Sequence, residues 1–355
     1  MEKPRIGIIG GGMIANAHIK NLQASGRAEI TWLAELREDV LQSVAETNGI
    51  PGRSTDYRDV LAAEDVDAVV VCTPPNTHRQ VFIEALESGK HCLVEKPVSM
   101  SIEDADAMLA AAAKHPDLIS MDASARHARL QPKFRIIKDI IDSGKLGEVY
   151  YIHHNCVFRQ KRGGLEYNPT AKWFLNKAIA GGGPLFDWGV YDLSFHLGIL
   201  GDRPELSKAH TLFLRNGLDQ VDPGAEIFDV EEHGAAILEF EGGLKMHWER
   251  GSNAHMEIPN ETRVYGTKGG LRFGYCSWDS PEITFFDVDE EGRGKARDEV
   301  IAVDMSAHGD DQAELMEHFV DILTGDTKPL LPLEIARKHL DIILKVYESP
   351  VVGRS

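Results

Sequence analysis

The chain has 355 residues, which favours two domains over one, and its 43% hydrophobic content is typical of a globular protein. Its 38 Lys and Arg against 56 Asp and Glu give a net charge of −18, so neither nucleic acid nor an anionic membrane surface is an expected partner. The sequence has no run of 18 apolar residues and no C-x-x-C pair among its four cysteines. We therefore expect a cytoplasmic location, with Cys72 and Cys92 as buried free thiols.

Short apolar strands alternate with helices through the first third of the chain. We expect strands at residues 5–9, 30–33, 68–72, 92–94 and 118–121. Helices are expected at 13–25, 40–48, 77–88 and 101–114, the third capped by Asn76 and the fourth by Ser101. This alternation predicts an α/β fold with a doubly wound parallel sheet, and we place the domain at residues 1–122.

The pattern changes after Asp122. A helix is predicted over 131–143, a long strand over 149–158 and one continuous helix over 185–200. Six strand-like runs follow, and breaks between them such as Glu241-Gly242-Gly243 indicate antiparallel connections. Two helices, at 311–323 and 333–348, complete a second domain that we place at residues 123–355.

A glycine-rich turn follows the first strand and fits the pattern G-x-G-x-x-A with the residues Gly10-Gly11-Gly12-Met13-Ile14-Ala15. Gly10 permits a tight turn, Gly12 lets the backbone approach a pyrophosphate, and the helix N-terminus favours the anion. Glu35 lies 20 residues past Ala15, where an acid would hold ribose hydroxyls and repel a 2′-phosphate. The sequence therefore predicts NAD as cofactor. NADP stays open because Arg37 could reach a phosphate.

A second turn, Thr73-Pro74-Pro75-Asn76-Thr77-His78, follows the strand at 68–72. Ligands bind beyond the carboxyl ends of parallel strands, so we expect Thr73, Pro74, Asn76 and His78 to border the cofactor. The structural alternative is that the prolines shape a loop and that His78 lies on a helix surface.

The tripeptide Glu95-Lys96-Pro97 follows the strand at 92–94. By the same reasoning it lies at the mouth of the dinucleotide fold, so Glu95 and Lys96 join the expected cofactor-binding residues. A lysine in this place can give or take a proton beside a nicotinamide ring. Together with the glycine-rich turn it predicts an oxidoreductase, whereas a surface lysine is the structural alternative.

A further segment, Gly181-Gly182-Gly183-Pro184-Leu185-Phe186-Asp187-Trp188-Gly189-Val190-Tyr191, completes a familiar order of motifs. In this order the chain resembles the Gfo/Idh/MocA oxidoreductases over essentially its whole length. The resemblance implies a Rossmann domain followed by an α/β domain with a large, mostly antiparallel open sheet, one face of which often forms an oligomer interface. It also implies a nicotinamide cofactor, a carbohydrate-like substrate and a homo-oligomer.

The resemblance implies roles for three residues. Lys96 falls on the family's catalytic lysine, and Asp187 falls on the aspartate that helps to position the substrate and the proton acceptor. Many members carry histidine four residues after that aspartate, but this chain has Tyr191, which leaves Lys96 and Tyr191 as competing candidates for the base. The spacing alone places Asp187 and Tyr191 on one face of the predicted helix, and oxidation of an alcohol needs such an acceptor for the hydroxyl proton.

A cationic segment, Phe158-Arg159-Gln160-Lys161-Arg162-Gly163-Gly164, stands out in this acidic chain. Arg159 or Lys161 could bind sugar hydroxyls, a carboxylate or a phosphate, with a solvated loop as the alternative. We also expect Arg126 and Trp173 to line the substrate cleft, although Trp173 could equally pack in the core.

The adjacent residues His153 and His154 do not predict a metal site. Neighbours on a strand point to opposite faces, so the two imidazoles cannot both bind one ion from regular geometry. We find no further spaced ligand set in the sequence and predict no metal.

The predicted function is hydride transfer between a nicotinamide cofactor and a hydroxyl or keto carbon of a sugar, polyol or glycoside. Two alternatives stay open. One is a redox-cycling glycosidase or epimerase with tightly bound NAD, and the other is a non-catalytic NAD-binding regulator.

Overall fold

The computed structural model describes residues 3–159, 171–218, 224–288 and 294–351. Contacts divide the chain into two units. The first consists of Met1–Arg126 and Gly309–Leu340, and the second consists of His127–His308 and Asp341–Ser355. The sequence-based boundary between residues 122 and 123 falls close to the first crossing, whereas the return of residues 309–340 to the first unit has no counterpart in the prediction.

Helices and strands of the described residues follow the chain in this order. The helices are α1 (Met13–Ser25), α2 (Glu38–Asn48), α3 (Tyr57–Ala62), α4 (His78–Glu87), α5 (Ile102–Lys114), α6 (Pro132–Asp142), α7 (Lys177–Ala180), α8 (Pro184–Asp187), α9 (Gly189–Gly198), α10 (Asp311–Leu323) and α11 (Leu333–Glu348). The strands are β1 (Arg5–Ile9), β2 (Glu29–Ala34), β3 (Gly52–Ser54), β4 (Ala68–Val71), β5 (His91–Val94), β6 (Ser120–Asp122), β7 (Val149–Val157), β8 (Leu206–Arg215), β9 (His233–Phe240), β10 (Lys245–Gly251), β11 (Ile258–Gly266), β12 (Gly270–Phe273), β13 (Glu282–Val288) and β14 (Ala296–Ala302). None of the helices described here combines the length and the apolar composition needed to span a membrane.

A six-stranded parallel sheet, in the order β3-β2-β1-β4-β5-β6, forms the centre of the first unit. Its strands are apolar on both sides: Val69, Val70 and Val71 of β4 are fully buried, as expected where helices cover both faces of a sheet. This confirms the predicted doubly wound α/β fold. The strand order reverses between β1 and β4, and ligands of such sheets bind at the carboxyl ends of the strands beside this point.

Helix α10 belongs to the first unit because it packs against α1. Arg27, just past the end of α1, forms ion pairs of 2.6 Å with both Glu317 and Asp321 of α10. Asp310 starts α10 as an N-cap that accepts a hydrogen bond from the backbone N–H of Gln312 at 3.0 Å. Helix α11 begins in the first unit and ends in the second.

An eight-stranded sheet, in the order β14-β13-β12-β11-β7-β10-β9-β8, forms the second unit. Strands β7 and β10 pair in parallel and the other neighbours pair antiparallel, which confirms the large, mostly antiparallel sheet that the family resemblance implies. Side chains alternate along β7 as expected: His154 is fully buried against α9, and its neighbour His153 stacks on His247 of β10 across the other face.

Two local predictions are wrong. The helix predicted over 185–200 is divided into α8 and α9 at Trp188, so Asp187 ends one helix, Tyr191 lies in the next, and the two do not share one continuous helix face. The division accompanies a close approach to the sheet, since a Cβ on Gly189 would lie 2.6 Å from the ring of Trp248. Asn76 does not cap α4, because Pro75–Thr77 forms a separate 3-10 turn and α4 starts only at His78.

Candidate active site

The glycine-rich turn has the shape that a pyrophosphate site needs. Gly10 has a φ of +100°, and a Cβ there would lie 2.9 Å from the carbonyl group of Cys72. Gly12 is the N-cap of α1, and a Cβ on it would meet no protein atom within 4 Å among the described residues. The first turn of α1 carries no acidic side chain and its N-cap makes no side-chain hydrogen bond. The N–H groups of Met13 and Ile14, in the first turn of α1, can therefore serve an anion, and this cradle fits a dinucleotide.

Glu35 lies beside this turn, at the end of β2. Its Oε2 accepts a hydrogen bond of 2.8 Å from the N–H of Gly11, and its Oε1 accepts from the N–H of Arg37 at 3.0 Å and from the Nε of Arg37 at 3.2 Å. A carboxylate offers about four acceptor positions, so Glu35 keeps capacity for a ribose hydroxyl. Arg37 remains 64% exposed although it is paired with Glu35.

The turn after β4 is closed by its own side chains. The hydroxyl of Thr77 bonds the hydroxyl of Thr73 at 2.7 Å and the carbonyl of Pro74 at 2.8 Å. His78 is fully buried, which removes it from the helix surface: its Nε2 lies 2.8 Å from the carbonyl of Thr73, and its Nδ1 lies 2.9 Å from the carbonyl of Pro97. Burial lowers the pKa of His78. This histidine therefore ties the turn after β4 to the segment that carries Lys96.

Glu95 fixes the other side of that segment. Its Oε1 lies 2.8 Å from Nε2 of His18 and 2.5 Å from Nη1 of Arg126, and its Oε2 accepts from the backbone N–H of Lys96 at 3.1 Å. Burial raises the pKa of Glu95, but the charges of Arg126, His18 and Lys96 lower it by more. The pKa of Glu95 therefore lies below its ordinary value. His18 lies on α1, so the helix that starts at the glycine-rich turn is bonded to the residue before Lys96.

Asp122, at the end of β6, is a second buried acid of this unit. Its Oδ1 accepts from the N–H of Ser124 at 2.7 Å, whereas its buried Oδ2 has no hydrogen-bond partner within the described part of the chain. Burial, and then the charge of Glu95, raises the pKa of Asp122 to about 6.

In the second unit, the segment 181–191 is fixed by Glu231. The carboxylate of Glu231 accepts hydrogen bonds from the N–H groups of Gly183 at 2.8 Å and Leu185 at 3.0 Å, at the start of α8. A Cβ on Gly183 would lie 1.8 Å from the carbonyl oxygen of Glu231, so only glycine fits there. These contacts set the course of α8, which ends at Asp187.

Tyr191 and three other aromatic rings form a cluster. The ring of His127 stacks on Trp188 with centroids 5.6 Å apart, and it meets the edges of Tyr191 at 4.8 Å and of Trp278 at 5.2 Å. Trp188 also contacts Tyr191 at 5.3 Å and Trp278 at 6.0 Å. We call His127, Trp188, Tyr191 and Trp278 the aromatic cluster. Tyr191 is its most buried member and Trp278 its most exposed.

A buried ionic network supports this cluster from the sheet side. Asp192, the residue after Tyr191, accepts hydrogen bonds of 2.8 Å from Trp248, Arg250 and Tyr275, and His154 lies 3.1 Å away. Burial raises the pKa of Asp192, but Arg250 and His154 lower it by more. The pKa of Asp192 therefore lies well below its ordinary value. The guanidinium of Arg250 also lies 5.1 Å from the ring of Trp188. The network therefore fixes one wall of the cluster.

A small pocket of about 10 Å³, room for roughly one water molecule, lies beside α8 and includes Asp187 in its lining. Glu232 and Asn253 lie in the same lining, and the two side chains are hydrogen-bonded to each other. The Oδ1 of Asn253 is buried and has no hydrogen-bond partner among the residues that the structure describes. Asp187 therefore lines a water-sized pocket beside a buried amide oxygen.

The other predicted substrate residues are placed differently. Arg126 is buried and paired with Glu95, as described above, and Arg159 is exposed. Trp173 is half-buried and stacks on Phe174 with centroids 3.9 Å apart. Lys161 lies outside the described residues.

Several residues of this region carry no signal that sequence reasoning can use. Trp278 and Lys133 lie far in sequence from the motifs, and His18, three residues past Ala15, occupies no position of the glycine-rich pattern. Their contribution depends on contacts across the fold, such as the bond between His18 and Glu95.

Comparison with known proteins finds matches to one oxidoreductase family along most of the chain. The family model for the oxidoreductase family with an NAD-binding Rossmann fold matches residues 4–123, and the GFO/IDH/MocA C-terminal domain matches residues 134–272. An uncharacterized oxidoreductase of Bacillus subtilis is 28% identical over 74% of this chain and 71% of its own length. The D-xylose 1-dehydrogenase (NADP+) of Haloarcula marismortui is 29% identical over 83% and 75%. Levoglucosan dehydrogenase, solved in complex with NADH and levoglucosan, has the same fold, with a TM-score of 0.82 and 21% identity over 98% of this chain and 97% of its own.

Proposed function

Because the chain belongs to the GFO/IDH/MocA family of NAD-binding oxidoreductases, we propose that it transfers hydride between a nicotinamide cofactor and a hydroxyl or keto carbon of a sugar, polyol or glycoside. Relatives that act on such compounds support this substrate class. They include a D-xylose 1-dehydrogenase, a myo-inositol 2-dehydrogenase and a D-glucoside 3-dehydrogenase.

One observation of the first unit carries the proposal. The contact between His18 and Glu95 joins the helix of the glycine-rich turn to the residue before Lys96, and His78 holds the carbonyl of Pro97 on the other side. Lys96 is thus fixed between two anchored neighbours, at the same sheet edge as the cofactor cradle. A merely exposed lysine would need none of these buried contacts.

The cofactor would be held by the backbone N–H groups that begin α1 and by Glu35. When bound, the nicotinamide ring supplies the hydride acceptor or donor. Glu35 would accept a ribose hydroxyl and repel a 2′-phosphate, which favours NAD. The pairing of Arg37 with Glu35 strengthens this preference, because the guanidinium is already engaged by the carboxylate.

The protein residues handle the proton. As hydride leaves the carbon of a secondary alcohol, the hydroxyl proton must pass to a base, and in the reverse direction an acid must supply it. We assign this transfer to Lys96, with Tyr191 as the competing candidate. Asp187 is proposed to accept hydrogen bonds from substrate hydroxyls, because it falls on the aspartate that positions the substrate in the family that the chain belongs to.

The test is a set of two lysine variants in a nicotinamide absorbance assay with sugars, inositols, sugar acids and glycosides. Lys96→Met should lower kcat by roughly 10²–10⁴-fold, the usual contribution of a placed acid or base. Lys114→Met is the matched control, because Lys114 is an exposed lysine at the end of α5 in the same unit, and it should leave kcat unchanged. Equal activities of the two variants would exclude Lys96 from proton transfer.

The same screen separates the alternatives. Substrate-dependent NADH formation supports a dehydrogenase. If the protein binds NADH but no panel member changes the absorbance, mass spectrometry of the mixtures distinguishes the two alternatives. A hydrolysed or epimerised product indicates a redox cycle with retained NAD, whereas unchanged compounds indicate a regulator. Tyr191→Phe then tests the second candidate base, which should lose as much activity as Lys96→Met only if Tyr191 carries the proton.

A further inference from the structure

We propose that Trp278 is a stacking residue for the outer part of a glycoside substrate, meaning its second sugar ring or its apolar aglycone. This inference rests on the proposed function, because it takes the reacting sugar to be held near Tyr191. Nothing in the sequence motifs points to Trp278. The argument depends on how the second unit mounts this side chain.

The aromatic cluster extends from a buried ring to an exposed one. Tyr191 is 1% exposed and Trp278 is 59% exposed. The ring of His127 contacts both, with centroid distances of 4.8 and 5.2 Å, so the centroids of Tyr191 and Trp278 are at most 10.0 Å apart. A compound whose reacting sugar lies at Tyr191 would therefore have a substituent of that sugar within reach of the indole of Trp278.

A single exposed apolar residue needs no functional explanation by itself. Trp278 differs because buried groups hold the loop on both sides of it. Lys133 is fully buried, and its ammonium donates to the carbonyl oxygens of Gly274 at 2.8 Å, Cys276 at 2.5 Å and Ser280 at 3.2 Å. These three carbonyls bracket Trp278.

Two further contacts fix the same loop. The carboxylate of Asp279 accepts hydrogen bonds of 2.8 Å from the backbone N–H of Cys276 and from Nδ2 of Asn260. The hydroxyl of Tyr275 donates to Asp192 of the buried network at 2.8 Å. The exposed indole thus stands on a rigid base, and its exposure does not result from a loose loop.

The ligand class follows from the chemistry of this surface. An indole held rigidly beside solvent gains free energy by covering its flat apolar face, and the C–H face of a pyranose or a phenyl ring offers a flat partner. Ligand binding costs no further conformational entropy for ordering the loop, since the loop is already ordered. A free monosaccharide at Tyr191 would leave this face uncovered, so the site should discriminate glycosides from free sugars.

The experiment uses glucose, methyl β-D-glucoside and phenyl β-D-glucoside with the full chain and two variants. Trp278→Leu removes the ring, and Trp278→Phe keeps one. We expect kcat/KM for the phenyl glucoside to fall about tenfold in Trp278→Leu, which corresponds to about 1.4 kcal/mol, while the value for glucose changes less than twofold. Trp278→Phe should restore most of the loss.

A binding measurement keeps this test independent of turnover. Saturation-transfer NMR with the NADH-loaded protein should show stronger transfer to the phenyl protons than to the sugar protons, and this transfer should disappear in Trp278→Leu and persist in Trp278→Phe. Absent turnover with intact transfer would count against the proposed function while supporting the stacking site. Absent transfer, or an equal loss for glucose and phenyl glucoside, would overturn the stacking site.

Another occupant of the exposed indole is a second copy of this chain. Sedimentation velocity of wild type and Trp278→Leu separates the two. An unchanged oligomer supports the ligand site, and a shift to a smaller species without a change in the glycoside-to-glucose ratio would overturn it.

Discussion

We predict that Glu95→Gln destabilises the first unit and slows turnover. The two oxygens of Glu95 face different donors: Oε1 faces His18 and the guanidinium of Arg126, and Oε2 faces the backbone N–H of Lys96. Glutamine has one oxygen only. Whichever way its amide is turned, an NH₂ group meets either the N–H of Lys96 or the guanidinium of Arg126.

The expected size of this effect follows from the burial of the pair. Glu95 and Arg126 are 5% and 4% exposed, and removal of one member of a buried ion pair costs roughly 3–5 kcal/mol. Since glutamine keeps one acceptor, we expect a loss of about 3 kcal/mol in the free energy of unfolding. We expect kcat to fall about tenfold as well, because Lys96 loses the anchor of its own backbone N–H.

The same pair sets a pH dependence. The pKa of Glu95 is lower in the folded protein than in the unfolded chain, so its contribution is fully present above the unfolded pKa of about 4.3 and decreases as the pH falls below it. The difference in unfolding free energy between wild type and Glu95→Gln should therefore be constant from about pH 6 to 8 and should shrink towards pH 4.

Trp32 makes the measurement specific to the first unit. Of the five tryptophans in the sequence, it is the one that lies in Met1–Arg126 or Gly309–Leu340. Urea unfolding followed by ¹⁹F NMR of fluorotryptophan-labelled protein, with Trp32→Phe to assign its signal, gives the stability of this unit. Glu87→Gln, an exposed change on α4, is the control and should stay within about 0.5 kcal/mol of wild type. Wild-type stability of Glu95→Gln, or a loss that is independent of pH, would refute the reasoning.

Three further predictions concern single residues. Glu35→Ala should raise the NADP-to-NAD ratio of kcat/KM at least about tenfold, because it removes a negative charge that repels the 2′-phosphate and releases Arg37 to bind that phosphate. An equal gain in the double variant Glu35→Ala/Arg37→Ala would contradict the role of Arg37. Asp122→Asn should stabilise the first unit by about 3 kcal/mol at pH 8 and hardly at pH 4 in the Trp32 assay. The pKa of Asp122, raised to about 6, favours the protonated folded state, and this advantage of the wild type is lost as the pH rises through 6. An equal gain in stability at both pH values would show that titration of Asp122 is not the cause. Lys133→Met leaves three carbonyls without their donor and should increase amide exchange in residues 274–280 about tenfold or more. Lys138→Met is the control on the same helix: this half-buried lysine pairs with Asp142, and its replacement should leave exchange in residues 274–280 unchanged. Equal exchange in both variants would contradict the anchoring role of Lys133.

Elements with strong local signals could be predicted from the sequence. The bounds of α1, α10 and α11 agree with the helical spacing, and β1 agrees with its apolar run. These segments combine a clear period with a local start or stop, such as the glycines that flank α1. Strand β14 could not be predicted, because six of its seven residues are exposed and the strand depends on its pairing with β13.

Features set by contacts distant in sequence could not be predicted. The motifs identified the cofactor turn, Lys96 and the segment around Asp187 and Tyr191, and the roles of these residues stay predictions. The anchor of the loop that carries Trp278 follows from tertiary contacts alone: Lys133 follows Pro132 at the start of an amphipathic helix, where a lysine is expected in solvent, yet it is fully buried. His78 shows the same limit, since only the folded chain brings Pro97 to its ring.

The packing of α10 on α1 has a consequence for synthesis of the chain. Arg27 and Glu317, which are paired across these helices, are 290 positions apart. A ribosome that adds about 5–20 residues per second needs roughly 15–60 s to deliver the second helix after the first. During that time the nascent dinucleotide-binding unit exists without α10, and the face of α1 that α10 covers stays open to solvent.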